Sequence, residues 1–249
     1  MSGILRWFKS KIQNQTMPVY KLPKELAFPA PDEAEPSGLL AVGGDLSLRR
    51  LLLAYCMGIF PWYSEGEPIL WWSPDPRLIL EPEHIKISQS LRRVLKKGVF
   101  QITMDRDFAA VIQGCADASR RGEPGTWIVD DMITAYTRLH AAGFAHSVET
   151  WHEEKLVGGL YGVSIGRAFF GESMFSLMSD ASKAALAYLA AALRQWGMGL
   201  IDCQVTTEHL LSMGAREMPR PEFLERLSQA LRAETLTGHW SLPEGLQVF

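Results

Sequence analysis

The chain has 249 residues, of which 47% are hydrophobic and 21% charged, with a formal net charge of −3. That length buries one large core or two unequal ones, in the proportions of an ordinary globular protein. The negative balance excludes a general attraction to nucleic acid, so a polyanionic partner has to be held by a local basic patch.

No apolar run approaches the ~18 residues of a membrane span. Residues Met1 to Tyr20 carry Lys9, Lys11 and Gln13 and lack the apolar stretch of a secretory signal. Cys56, Cys115 and Cys203 are far apart and form no CxxC, which suits a reducing compartment and argues against a disulfide scaffold or a zinc site. The segment to about Glu35 is polar, contains prolines and has no period, so it reads as an extended lead-in. Gly43-Gly44 marks a turn or a close backbone approach, without the spacing of a nucleotide phosphate loop. Ser47 then caps a helix through Leu51 and Tyr55 that ends at Gly58.

The stretch from Gly58 to Arg77 is the densest in aromatics and is punctuated by prolines, which fix rigid loops. Aromatics on rigid loops serve as stacking platforms for bases, and Trp62 is the best placed for that. Trp71 and Trp72 equally suit a plug between two subdomains. A domain boundary is placed near Asp75. Beyond it, strands and helices alternate: Leu78–Leu80 as a strand, Ser88–Lys97 as a helix, Val99–Met104 as a strand, Phe108–Ala118 as a helix. A turn ending at Trp127 and a helix from Asp131 to Ala142 follow. Within Ser88–Lys97, Arg92, Arg93, Lys96 and Lys97 gather on one side, either as a solvated face or as a phosphate patch. Three strand signals in series (His146–Trp151, Leu156–Ser164, Arg167–Phe175), separated by hairpin-length breaks, predict an antiparallel meander.

The stretch from Ala168 to Gln204 carries the chemistry. It predicts a strand to Phe175, a helix capped by Ser179-Asp180 with Leu186, Leu189, Leu193 and Trp196 at helical spacing, and a strand from Leu200 to Gln204. Asp202 and Gln204 are two apart and fall on one face, with Cys203 on the other. A carboxylate in an apolar strand is costly unless paired or working, and Glu172 is in the same position. The alternatives are that Glu172 pairs with Arg167 and that Asp202 caps the following helix. Metal hydrolysis and serine hydrolysis lack their motifs, HExxH and GxSxG. A last amphipathic helix near Pro221–Leu231 closes the fold.

The meander, helix and strand resemble the N-acetyltransferase (GNAT) superfamily. The joint from Ser176 to Lys183, however, lacks the glycines that hold coenzyme A there. More specifically, the ordered blocks GLLAVGGDLS, GIFPWYSEGEPILWWSPDPR, EPGTWI, LVGGLYGVSIGRAFFGESMFS, DASKAAL and LIDCQV are similar to those of the leucyl/phenylalanyl-tRNA–protein transferases. The likeness runs from about Ala27 to Arg220.

The resemblance implies an α+β protein: a small N-terminal α/β domain over residues 1–75 and a GNAT-like catalytic domain with a mostly antiparallel sheet over residues 76–249. It implies transfer of Leu or Phe, with Met a further donor, from aminoacyl-tRNA to proteins beginning with Arg or Lys, which marks them for N-degron degradation. The expected setting is the cytoplasm, with a monomer and no cofactor. By position, Gln204 orients the attacking amine, Asp202 polarises it or accepts charge, and Glu172 is the counter-charge for the acceptor. Trp62 and Trp127 stack on the terminal adenosine of the tRNA. Leu160, Leu189 and Leu193 line the pocket for the donor side chain, and Arg92, Arg93, Lys96 and Lys97 form the tRNA-phosphate patch. Two other readings stay open: a coenzyme A-dependent acyltransferase, and a non-catalytic binder of aminoacyl-tRNA or basic N-termini.

Overall fold

The computed structural model describes residues 19–122 and 128–249. It is a mixed α/β protein with two mixed sheets and, among the described residues, seven α-helices. The first sheet holds β1 (Tyr20–Lys21), β2 (Leu39–Val42), β3 (Phe60–Pro61) and β4 (Leu70–Trp72) in the order β1-β2-β4-β3. Pro61, which has no N–H for a ladder, lies on the edge strand, where that loss is tolerated. Strand β2 escaped the sequence reading because Leu39, Leu40 and Ala41 are all buried, leaving no alternation to see. The turn after it is at Gly43 and Gly44, both at positive φ. Helix α1 (Leu48–Cys56) starts at Ser47, whose side chain accepts from the Arg50 N–H.

The second sheet contains β5 (Arg77–Leu80), β6 (Gln101–Met104), β7 (Ala145–His152), β8 (Lys155–Ile165), β9 (Ala168–Ser176), β10 (Leu200–Gln204) and β11 (Arg216–Met218). Their order is β11-β5-β10-β9-β8-β7-β6. Only β9 and β10 are parallel; the meander β7-β8-β9 and the other pairings are antiparallel, as the sequence predicts. Parallel neighbours need a crossover, and helix α5 (Ala181–Gln195) supplies it. The remaining helices are α2 (Gln89–Lys96), α3 (Phe108–Gly122), α4 (Asp130–Ala141), α6 (Glu208–Ser212) and α7 (Arg220–Ala230).

Alternation along the strands divides the core into two layers. Tyr161, Val163 and Phe170 pack with Tyr55 of α1, Val111 of α3, Tyr136 of α4 and Phe223 of α7. Leu160, Phe169 and Ile201 pack on the other face with Leu91 of α2 and with Leu186, Leu189 and Leu193 of α5. The first layer draws on residues from both sides of Asp75, so the two sheets share one apolar cluster. Alanines let α5 sit close to the sheet: a Cβ on Gly158 would lie 2.6 Å from that of Ala181. Asp180 stands at the N-cap of α5 as expected, but at φ +67 its side chain binds Lys183 Nζ at 3.1 Å and caps no helix N–H.

Candidate active site

A cavity of about 380 Å³ lies where Phe60, Pro61 and Trp62 approach the outer half of β9 and the segment after β10. Its lining is mainly apolar (Leu160, Phe169, Leu186, Leu189, Ile201), with Glu172, Ser173, Gln204, Thr207 and His209 as polar groups. A mostly apolar cavity with a few convergent polar groups is the usual form of a ligand site.

Two irregularities in the strands put the polar groups there. In β9, Gly162 of β8 faces Gly171 and Tyr161 faces Ser173, so Glu172 is an extra residue without a partner, a β-bulge. A Cβ on Gly162 would lie 2.2 Å from the Phe170 carbonyl oxygen, so only glycine fits opposite the bulge. In β10 the register with β5 shifts between Asp202 and Gln204, and Gln204 takes φ +64, a left-handed conformation rare for a residue with a side chain. The expected alternation is therefore broken. Cys203 and Gln204 both line the cavity, whereas Asp202 points away from it into the protein.

Glu172 is 8% exposed. Its Oε1 accepts from Tyr55 Oη at 2.7 Å and from Gln204 Nε2 at 2.8 Å, and its Oε2 lies 2.9 Å from Tyr136 Oη. The two tyrosine hydroxyls also touch each other. Proton counting is informative. The closed path Oε1, Tyr55, Tyr136, Oε2 has three oxygen–oxygen contacts and only two phenolic protons, because burial keeps both tyrosines well above their ordinary pKa. A protonated Glu172 supplies the third and completes the ring. Burial first, with a smaller push from Asp202, raises the Glu172 carboxyl to about 7, while hydrogen bonds from the tyrosines and Gln204 pull the other way. Glu172 thus changes charge near neutral pH.

Asp202 is held by Arg77, with Nε donating to Oδ1 at 2.8 Å and Nη2 to Oδ2 at 2.7 Å. The guanidinium lies between the rings of Phe60 (4.8 Å) and Phe223 (4.7 Å). Asp202 Oδ1 also accepts from the Gln204 backbone N–H at 2.9 Å, which pins the strained residue. Neither alternative from the sequence applies: Arg167 donates to the Trp196 carbonyl, and Asp202 caps no helix.

The other expected residues divide. Trp62 lines the cavity, tilted against Trp72 at 6.0 Å, and Trp127 lies outside the described residues. Trp71 and Trp72 are buried in the first sheet and donate to the carbonyls of Gly43 and Trp62, so neither stands open as a stacking platform. Leu160 and Leu189 line the cavity. Leu193 does not: it is fully buried two turns beyond Leu186, about 10 Å further along the helix, and Leu186 takes its place. Arg92, Arg93, Lys96 and Lys97 are all exposed, with Arg92 and Lys96 over the Phe249 ring at 5.0 and 5.7 Å. Tyr55, Tyr136 and Arg77 were not anticipated. The only sequence signal for Arg77 is a cation at the start of an apolar strand.

With this geometry in hand, two family models match the chain: "Leucyl/phenylalanyl-tRNA protein transferase" over residues 79–228, and its N-terminal domain over residues 44–75. The leucyl/phenylalanyl-tRNA–protein transferase of Anaeromyxobacter sp. (strain Fw109-5) is 59% identical over 92% of this chain and 97% of its own. The chain belongs to this family. The transferase of Syntrophobacter fumaroxidans is 62% identical over 86% of this chain and 91% of its own. A solved structure, of L-PGS from Bacillus licheniformis, matches at 14% identity with a TM-score of 0.38, over 78% of this chain and 64% of that one. The two folds are not equated at that level of likeness. In this chain the GESMFS and LIDCQV stretches meet at one cavity through their bulged strands.

Proposed function

We propose that the chain is an aminoacyltransferase that moves Leu or Phe, and Met as a further donor, from aminoacyl-tRNA to the N-terminal Arg or Lys of a protein. The observation that carries this reading is the Glu172–Gln204 hydrogen bond, set in a mainly apolar cavity beside Trp62. The product bears a new Leu or Phe terminus and enters N-degron degradation. Incubation with Phe-tRNA and an Arg-initiated peptide is expected to yield the Phe-Arg peptide. Intact substrates after full incubation would reject the reading.

The chemistry needs little beyond placement. An N-terminal amine has a pKa near 7.7–8.0, so a minority is neutral at pH 7. Its nitrogen attacks the ester carbon, the carbonyl electrons move to oxygen, and the adduct collapses by breaking the bond to the 3′-oxygen of the tRNA. The proton lost by nitrogen ends on that oxygen. The ester is already activated, so the scheme calls for no cofactor, and holding the two reactants together supplies on the order of 7–11 kcal/mol. Gln204 donates its amide N–H to Glu172, which turns its side-chain oxygen toward the attacking amine. Ionised Glu172 is the counter-charge that draws in the cationic N-terminus. Asp202 acts through Gln204 as a positioning residue.

Trp62, with Trp127, stacks on the terminal adenosine, and Leu160, Leu186 and Leu189 receive the donor side chain. Leu189→Trp is expected to fill that pocket and lower Phe transfer at least tenfold while tRNA affinity stays within about twofold. Equal losses in transfer and in tRNA affinity would place the pocket elsewhere. The exposed Arg92, Arg93, Lys96 and Lys97 hold tRNA phosphates. Replacing all four by Ala is expected to weaken tRNA binding and to flatten the log–log salt dependence by roughly 0.7–0.9 for each phosphate no longer neutralised. An unchanged slope returns this face to plain solvation.

We read residues 76–249 as a GNAT-like catalytic domain, on the strength of the parallel β9–α5–β10 unit inside an antiparallel sheet, and residues 1–75 as the domain carrying the aromatic loops. We read the chain as a monomer. We read the reaction as cytoplasmic, the setting that its dependence on aminoacyl-tRNA supports.

A further inference from the structure

The parallel pairing of β9 with β10 stops at Phe170 and Asp202, yet β9 continues to Ser176 with β8 on its other flank. Beyond Phe170, then, no strand among the described residues pairs with β9 on its β10 side, and there its main-chain N–H and C=O groups have no ladder partner among those residues. The opening is held apart. Gln204 at φ +64 turns the chain away, pinned by Asp202 and Arg77. The nearest atom to a Cβ on Gly171 is the Asp202 carbonyl oxygen, at 3.6 Å. Gly171, Ser173 and Met174 are partly exposed along this edge, and the cavity is lined by both banks, Gly171 to Met174 on one and Cys203 to Val205 on the other.

We propose that the split between β9 and β10 receives the acceptor protein's first residues as an added strand, hydrogen-bonded by main chain to the free edge of β9. This rests on the transfer reaction proposed above. The acceptor amine has to reach Glu172 and Gln204, and both lie in the split, so the chain behind the amine leaves along one of its banks. Acceptors share only their first residue, so the rest has to be held by groups every peptide possesses. Main-chain pairing with an open edge is the means that asks nothing of side chains. The four residues Gly171 to Met174 span roughly 13 Å of strand, room for about three or four acceptor residues.

The test is an ester scan of the acceptor. Arg-initiated hexapeptides are synthesised with one backbone amide replaced by an ester, before residue 2, 3, 4 or 6, which deletes a single N–H without adding bulk. Along an added strand, alternate N–H groups face β9, so kcat/KM with saturating Phe-tRNA is expected to fall about threefold to tenfold at alternate positions among 2, 3 and 4, and to be unchanged at 6. No loss at any of the three positions, or an equal loss at all of them, overturns the added strand. The unmodified peptide separates the two readings. If it is acylated and the ester scan is flat, transfer stands and the strand falls. If it is not acylated, the transfer reading fails and takes this one with it.

Discussion

Arg77→Ala is expected to destabilise the fold by about 3–5 kcal/mol, because it leaves the Asp202 carboxylate buried without its partner. The side chains of Arg77 and Asp202 are 1% and 0% exposed, so water cannot stand in for the guanidinium. For a chain of this length the melting temperature should drop on the order of 10 °C. A second variant separates packing from positioning. Replacing a buried ion pair by apolar groups of similar size is often neutral or stabilising, so Arg77→Met combined with Asp202→Leu is expected to melt within a few degrees of the parent. It nevertheless lacks the oxygen that accepts from the Gln204 N–H, and Gln204 is then free to leave φ +64. Transfer is expected to fall on the order of a hundredfold, mainly in kcat, as for a misplaced reacting group. A double variant that both melts and transfers like the parent would show that Asp202 positions nothing.

That pair also marks the limit of what the sequence could reveal. The elements came through because their signals are local: the 3.6-residue period of α5, the serial strand signals of the β7-β8-β9 meander, the Ser47 cap. Glu172 and Gln204 stood out as polar residues in otherwise apolar strands, a conflict with burial that sequence alone displays. Their partners did not. Tyr55 and Tyr136 occupy core positions of amphipathic helices, where a tyrosine is indistinguishable from a packing residue. Each meets Glu172 only through tertiary contact, across 117 and 36 residues of chain respectively. Leu193 was misplaced because helical spacing identifies the buried face of α5 and says nothing of where along the axis the cavity ends. The shift at Gln204 was invisible for a related reason. A period of two presumes a regular strand, and a bulge moves every later side chain to the opposite face. Functional sites concentrate such irregularities, so pattern reading fails there first.

Glu172→Gln is the change that most directly tests how the site uses its charge. A glutamine amide replaces the protonated acid almost atom for atom: its N–H₂ donates to Tyr136, its oxygen accepts from Tyr55 and Gln204, and the hydrogen-bonded ring survives. The native carboxyl is raised to about 7 from an ordinary value of 4.5. A raised folded-state pKa means that the native state binds more protons than the unfolded chain between those values. The contribution of Glu172 to stability is therefore fully present below pH ~4.5, declines as pH rises, and is gone by about pH 7. At 1.36 kcal/mol per unit, that decline is on the order of 3 kcal/mol. The variant should match the parent in urea denaturation at pH 4.5, exceed it by up to that amount at pH 8, and lack the slope between. Activity should go the other way. With no carboxylate to receive a cationic N-terminus, kcat/KM for an Arg peptide at pH 8 should drop about a hundredfold or more. The acid limb near pH 7 should vanish, leaving only the titration of the peptide amine near 7.7–8.0. A variant that gains stability at pH 8 and keeps its rate would show that the charge near neutrality is an expense of the fold and no part of the reaction. A variant that loses rate while its acid limb stays in place would assign that limb to another group. Only gain of stability together with loss of both rate and limb ties the buried carboxyl, its two tyrosines and the bulge that holds them to the transfer of the amino acid.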